Sequence, residues 1–157
     1  MKVTKIFATL LFCLTFIFGV SKVEAAETGT FEEEAQAVKL LNQVRAEVGL
    51  KGVAWHSNSN LQRAAELRAQ ELEELFSHTR PDGSDCFSVL REFGVRYRTC
   101  AENIAYGTNL DAEGTTELWY NSPGHYQNMT NPNVREVGLA AWHDDSGNVY
   151  WVQLFIG

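Results

Sequence analysis

Residues Val137 to Ile156 read VGLAAWHDDSGNVYWVQLFI. Val137, Leu139 and Ala141 alternate along one arm, and Tyr150, Val152, Leu154 and Ile156 along the other. Asp144-Asp145-Ser146-Gly147 supplies turn chemistry between them, so the segment predicts a β-hairpin. The neighbouring segments are mixed. Asp111 to Asn121, carrying Leu118 and Trp119, reads as a helix, and Ser122-Pro123 restarts one, because serine caps well and proline suits the first helical position. Val95 to Thr99 reads as a strand leading into Cys100, and Ala101 to Gly107 continues extended.

Upstream, helical spacing takes over. Phe31, Ala35, Val38, Leu41, Val44 and Val48 recur on one face until Gly49. Glu32, Glu33 and Glu34 crowd the first turn, where the helix dipole favours negative charge, and read as a solvated helix start. A second helix begins at Ser59, with Gln62 as its capping-box partner. Its stripe of Leu61, Ala65, Ala69, Leu72 and Phe76 should face a core, leaving Glu66, Arg68, Glu71 and Glu73 off it. Arg80-Pro81-Asp82-Gly83 reads as a turn, and Cys86 to Phe93 as a short helix stopped by Gly94. Helices and strands mix without a βαβ rhythm, which predicts an α+β fold with an antiparallel sheet covered by helices.

The N-terminus reads as a targeting segment. Lys2 and Lys5 precede the apolar run Ile6 to Val20, and Val23-Glu24-Ala25 offers a cleavage site after Ala25. The run is shorter than the roughly 20 residues a spanning helix needs. Residues 1–25 are therefore expected to be removed, 26–32 to form a loose lead-in, and 33–157 to form the domain, secreted and acting outside the cytoplasm. The 132 residues left after cleavage carry 10 basic and 19 acidic side chains, a net of −9. That length supports one core, and a monomer is expected. That charge disfavours nucleic acid and anionic membrane surfaces as partners, and no transmembrane segment remains.

Three cysteines occur, and Cys13 is a passive apolar residue of the leader. Cys86 and Cys100 are an even pair in an exported chain, which predicts a disulfide. It would close a loop of about 15 residues, stabilising the fold by roughly 3 kcal/mol.

Three residues stand out as chemistry. His78 follows the end of the second helix, and His125 lies in the first turn of a new one. The dipole favours imidazolium at a helix end and disfavours it at a start, so His125 should titrate below His78. Glu102 sits in an apolar segment, where a buried carboxylate needs donors or a positive partner. Two imidazoles and a carboxylate can hold zinc with an open position, with His78 and His125 as the ligands. They can also form a hydrogen-bonded structural cluster, the reading the spacing favours, since the helical His-Glu-x-x-His pattern is missing. His56 and His143 read as surface residues. Trp55, Trp119, Trp142 and Trp151 read as core or half-core, with a carbohydrate platform the lesser reading. Asn128-Met129-Thr130 fits the N-glycosylation pattern.

Four stretches, in this order, resemble the CAP superfamily of cysteine-rich secretory, antigen and pathogenesis-related proteins, and its bacterial SCP-domain branch in particular. They are Trp55 through the second helix to Gly83, Ala101-Glu102-Asn103-Ile104-Ala105-Tyr106-Gly107, Trp119-Tyr120-Asn121-Ser122-Pro123-Gly124-His125, and the closing hairpin from Val137 to Phe155. The resemblance implies an α-β-α sandwich with His78, Glu102 and His125 at a central cleft. One departure is clear: where animal and plant branches typically carry a second glutamate three residues after the tryptophan, this chain has Ser122. The function expected is a secreted binding module holding a lipid, a peptide, a cell-wall fragment or a host protein. The alternative is an extracellular hydrolase, metal-assisted or using Glu102 with a histidine, although no Gly-x-Ser-x-Gly elbow occurs. A structural envelope protein is a third reading.

Overall fold

The structure, a computed structural model, describes residues 27–157. The expected leader and cleavage site lie outside the described residues. The elements run β1 (Glu27–Thr28), α1 (Phe31–Glu47), α2 (Asn60–Glu74), α3 (Ser88–Glu92), β2 (Cys100–Thr108), α4 (Ala112–Tyr120), α5 (Pro123–Met129), β3 (Glu136–His143) and β4 (Asn148–Ile156).

The hairpin forms as its pattern requires. β3 and β4 pair antiparallel from Glu136↔Ile156 to His143↔Val149. The Asp144 carboxylate closes the turn by accepting from the Ser146 and Asn148 amides, both at 2.8 Å, while Gly147 takes φ +80°, which glycine adopts without steric cost. β4 also pairs with β2, from Cys100↔Ile156 to Thr108↔Asn148. With β1 on the far edge the order is β1-β3-β4-β2, and every pairing is antiparallel.

Register sends the two alternating sets to opposite faces, since Leu139 stands across from Gln153 and Ala140 from Val152. Val137, Leu139 and Ala141 join Trp151 and Phe155 in a core under α1 and Trp119. Ile104, Ala140, Val152 and Leu154 form the other, under α2 and α3. A strand buried on both faces must be apolar throughout, which is why the chain from Val149 to Ile156 contains so few polar residues. The result is an α+β sandwich, a central antiparallel sheet with helices on both sides.

Several local expectations are corrected. Glu27 and Thr28 are not loose; they pair with His143 and Trp142. Val95 to Thr99 is not a strand: the Arg98 and Thr99 amides both donate to the Gly157 carbonyl, and the ladder begins at Cys100. The third helix covers only Ser88–Glu92, with Gly94 at φ +66° behind it. Phe76 lies beyond α2 and is exposed. Cys86 and Cys100 are separate thiols, so the expected bridge is not formed. The Cys86 thiol faces Glu102 and Arg68, whereas Cys100 interacts with Tyr97.

Half of the α2 capping box forms. Ser59 Oγ accepts from the Gln62 amide at 3.0 Å, but the Gln62 side chain turns into the interior. There its Nε2 donates to Glu34 at 3.0 Å and to the Leu139 carbonyl at 2.9 Å. Its Oε1 accepts from Trp55 at 2.8 Å and from the Leu139 amide at 3.1 Å. Glu34 is therefore not part of a solvated helix start. It is buried, and burial, reinforced by the charge of Glu66, pushes its carboxyl up to about 8.

This packing can be tested at two points. A Cβ on Gly138 would stand 2.4 Å from the Leu61 carbonyl oxygen, so Gly138→Ala must push α2 off the sheet. Urea unfolding of the variant should show a loss of about 1–3 kcal/mol with unchanged m. Because the folded pKa of Glu34 is raised, its contribution to stability is full below its unfolded value and is lost as pH climbs toward 8. Glu34→Gln should flatten that decline between pH 5 and about 8 in the same assay; an unchanged profile would place the decline elsewhere.

Candidate functional site

β2 is an edge strand of the sheet, and its alternation sends Glu102 toward α2 and Asn103 toward α5. Glu102 is almost fully buried at 5% exposure. Arg68 of α2, itself entirely buried, donates from Nε to one carboxylate oxygen at 3.0 Å, and His78 Nδ1 donates to the other at 2.7 Å. Burial alone would raise the Glu102 pKa, but the hydrogen bonds from His78 and Arg68 outweigh it and hold the carboxyl below its ordinary value. The same bond to Glu102 raises the pKa of His78.

His78 reaches Glu102 from a loop anchored at both ends. Arg68 donates to the Ser77 carbonyl at 2.9 Å, and the Cys86 amide donates to the His78 carbonyl at 3.0 Å. Arg80, also buried, grips both oxygens of Glu71 and reaches Ser88 and Glu92 on α3. An ion-paired chain thus runs Glu102–Arg68–Glu71–Arg80–Glu92.

His125 is placed by Asn103. The Asn103 amide donates to the His125 carbonyl at 3.1 Å and to Gln153 at 3.0 Å, and its oxygen accepts from Asn128 at 2.8 Å. The His125 ring is half-buried. Burial, then the charge of nearby His78, lowers its pKa.

The structure therefore brings His78 and Glu102 into direct contact, with His125 near enough to feel the His78 charge. Sequence reasoning missed Arg68, which lies off the apolar stripe of α2, together with Cys86, Asn103 and Asn128. His78, Cys86 and Glu102 can bring one ligand atom each within 4.8 Å of one another. Burial and the Glu102 carboxylate push the Cys86 thiol up to about 12, so it is protonated at neutral pH. Of the two other histidines, His56 is exposed, while His143 is half-buried and pairs with Glu33 at 3.0 Å.

The expected zinc ligands meet only in part: among the described residues the group of ligand atoms within 4.8 Å of one another is His78, Cys86 and Glu102, without His125. Metal-bound histidines commonly donate their second ring nitrogen to a carboxylate. Glu102 accepts that bond from His78, leaving Nε2 free. Of the expected ligands, His78 keeps Nε2 for an ion, Glu102 is an orienting group because both its oxygens are engaged, and His125 stands outside that group. Bound there, the ion would supply Lewis acidity.

The sequence model of the cysteine-rich secretory protein family, CAP, matches residues 38–155. The chain belongs to the CAP family. A curated relative, the uncharacterized protein YkwD of Bacillus subtilis, is 33% identical over 126 residues, covering 79% of this chain and 47% of its own. An extracellular SCP-domain protein from Bacillus anthracis superposes with TM-score 0.67 at 24% identity, over 80% of this chain and 40% of that one. An outer surface protein of Borrelia burgdorferi gives TM-score 0.72 at 19% identity, over 82% and 94%. This CAP chain thus spans about half the length of its curated relative. Among the described residues no helix is long and apolar enough to cross a membrane.

The opposed shifts of the two imidazoles predict that His78 titrates above His125 in an NMR pH series. The raised pKa of His78 means that its contribution to stability is complete below the ordinary histidine value and fades as pH rises through the folded one. Glu102→Gln should abolish the upward shift of His78. It should also cost about 3 kcal/mol, the lower end for breaking a buried pair, because Glu71 still faces Arg68.

Proposed function

We propose that this CAP domain is a secreted binding module whose cleft, lined by His78, Glu102 and His125, holds an extracellular ligand: a lipid, a peptide, a cell-wall fragment or a host protein. The carrying observation is the saturation of Glu102. Both oxygens are taken by Arg68 and His78, and those bonds keep the carboxyl ionised. A general acid or base must exchange its proton near the working pH, and Glu102 is held away from that range. Two side chains that could serve hydrolysis as nucleophiles are not activated. The Cys86 thiol stays protonated, and Ser122 makes no side-chain hydrogen bond at the cap of α5. What remains is a pair of imidazoles beside β2, His78 exposed and chargeable and His125 half-buried with a lowered pKa.

Solved structures of the same fold are described as extracellular or as outer-surface proteins, which supports the placement outside the cytoplasm; removal of the leader after Ala25 is part of the proposal. Purified protein should retain a component from lipid extracts or cell-wall fragments, and His125→Ala should weaken that retention. Equal retention by both proteins, or none by either, would count against the cleft. Cleavage in a peptide-library digest that disappears on changing His78, Glu102 or His125 would favour the hydrolase instead.

A further inference from the structure

The domain is acidic as a whole, yet unpaired positive charge gathers in one place. Where β2 and β3 begin and β4 ends, Arg96, Arg98 and Arg135 line a cavity of about 820 Å³. Unlike Arg68, Arg80 and Arg91, none of these three forms an ion pair among the described residues. A second hollow of about 340 Å³ shares Arg135 and adds Lys51 and Arg45.

Arg45 supplies an independent observation. It is buried at 3% exposure and donates to the carbonyls of Lys51, Met129 and Asn131 at 3.0, 2.8 and 3.0 Å. No carboxylate faces it among its bonded partners. A buried guanidinium without a counter-ion projects its charge through low-dielectric surroundings to the nearest surface, which here is the floor of the second hollow. The expectation that an acidic chain repels anionic partners thus fails locally.

We infer that these adjoining hollows bind the phosphate groups of a thin, flexible phosphodiester chain, at a site sharing no residue with the histidine cleft. Guanidinium forks match phosphate oxygens in charge and geometry. Two hollows joined at Arg135 suit successive charges along a chain better than a single ion. A bilayer cannot enter a concave groove, and a broad rigid polyanion would lay its remaining charges against the acidic surface. A thin chain meets neither obstacle.

Titration with poly(glycerol phosphate) tests the site, with inorganic phosphate, a DNA duplex and phosphatidylglycerol vesicles as separate arms. The polymer should bind with a log–log salt slope of about −3, from contacts to Arg96, Arg98, Arg135 and Lys51 at roughly 0.7 each for a flexible strand. Arg98→Gln with Arg135→Gln should weaken binding at least about tenfold and roughly halve the slope. Lys39→Gln, an exposed change on α1, should alter neither. All three arginines are exposed, and an unchanged melting curve would show that the double variant folds. Absence of polymer binding, equal binding by the double variant, or tighter binding to vesicles, duplex or free phosphate would overturn the inference. His125→Ala is read only in the cleft assay, so failure of one site is distinguishable from failure of the other.

Discussion

The burial of Arg68 against Glu102 is the constraint around which the site is organised. Both charges are removed from water, and a lone charge in that position would be very costly. The pair is tolerable because the other donors of Arg68 are taken up by Glu71 and by the Ser77 carbonyl. The fixed side chain ties α2 to the edge strand β2 and, through Ser77, sets where the loop after α2 must start. Glu71 and Arg80 then carry the alternation of charge on to α3. His78 is held at the exposed end of this network, 57% open to solvent at its side chain yet fixed at Nδ1. The loop is positioned by buried electrostatics, with no covalent bridge between Cys86 and Cys100.

The opposite side of β2 uses neutral groups for the same purpose. Asn103, wholly buried, reads the His125 carbonyl, Asn128 and Gln153 together. Two adjacent residues on one strand therefore hold two histidines on different elements, one through a carboxylate and one through an amide. The difference in linkage explains the difference in protonation. His78 touches a negative charge, which stabilises its imidazolium, whereas His125 is tethered only by its backbone and loses hydration without gaining a counter-ion. The interior holds a third polar node of this type at Gln62, which joins α1, α2, β3 and Trp55.

Much of the fold was legible in the sequence because local and global preferences agree. The alternation on either side of the 144–147 turn, the helical stripe after Ser59 and the Ser122-Pro123 restart all form where the pattern puts them. The errors fall where a long-range partner overrides a local signal. Glu34 looked like dipole chemistry and is instead bonded to Gln62, 28 residues away. Gln62 looked like half of a capping box and serves the sheet instead. Thr28 is a strand residue only because Trp142 is there to pair with it. Of the site, the histidines and the glutamate are distinctive residue types in unusual settings. Arg68 carried no such signal, because a helix-borne arginine off the apolar stripe reads as solvated until its carboxylate partner is seen.

The same long-range logic governs the charge of the molecule. Arg45, Arg68 and Arg80 are all buried, but they are compensated differently. Arg68 and Arg80 face carboxylates, so their fields largely cancel near His78. Arg45 faces only carbonyl dipoles, so its charge persists beneath the surface where Arg135 and Lys51 stand. Net charge counted along the sequence hides this separation. A chain that is acidic overall therefore pairs its charges around His78 and, at the end of its sheet, leaves arginines without ion-pair partners among the described residues. Of the two regions, only the groove at the sheet end holds exposed arginines that no carboxylate pairs among the described residues.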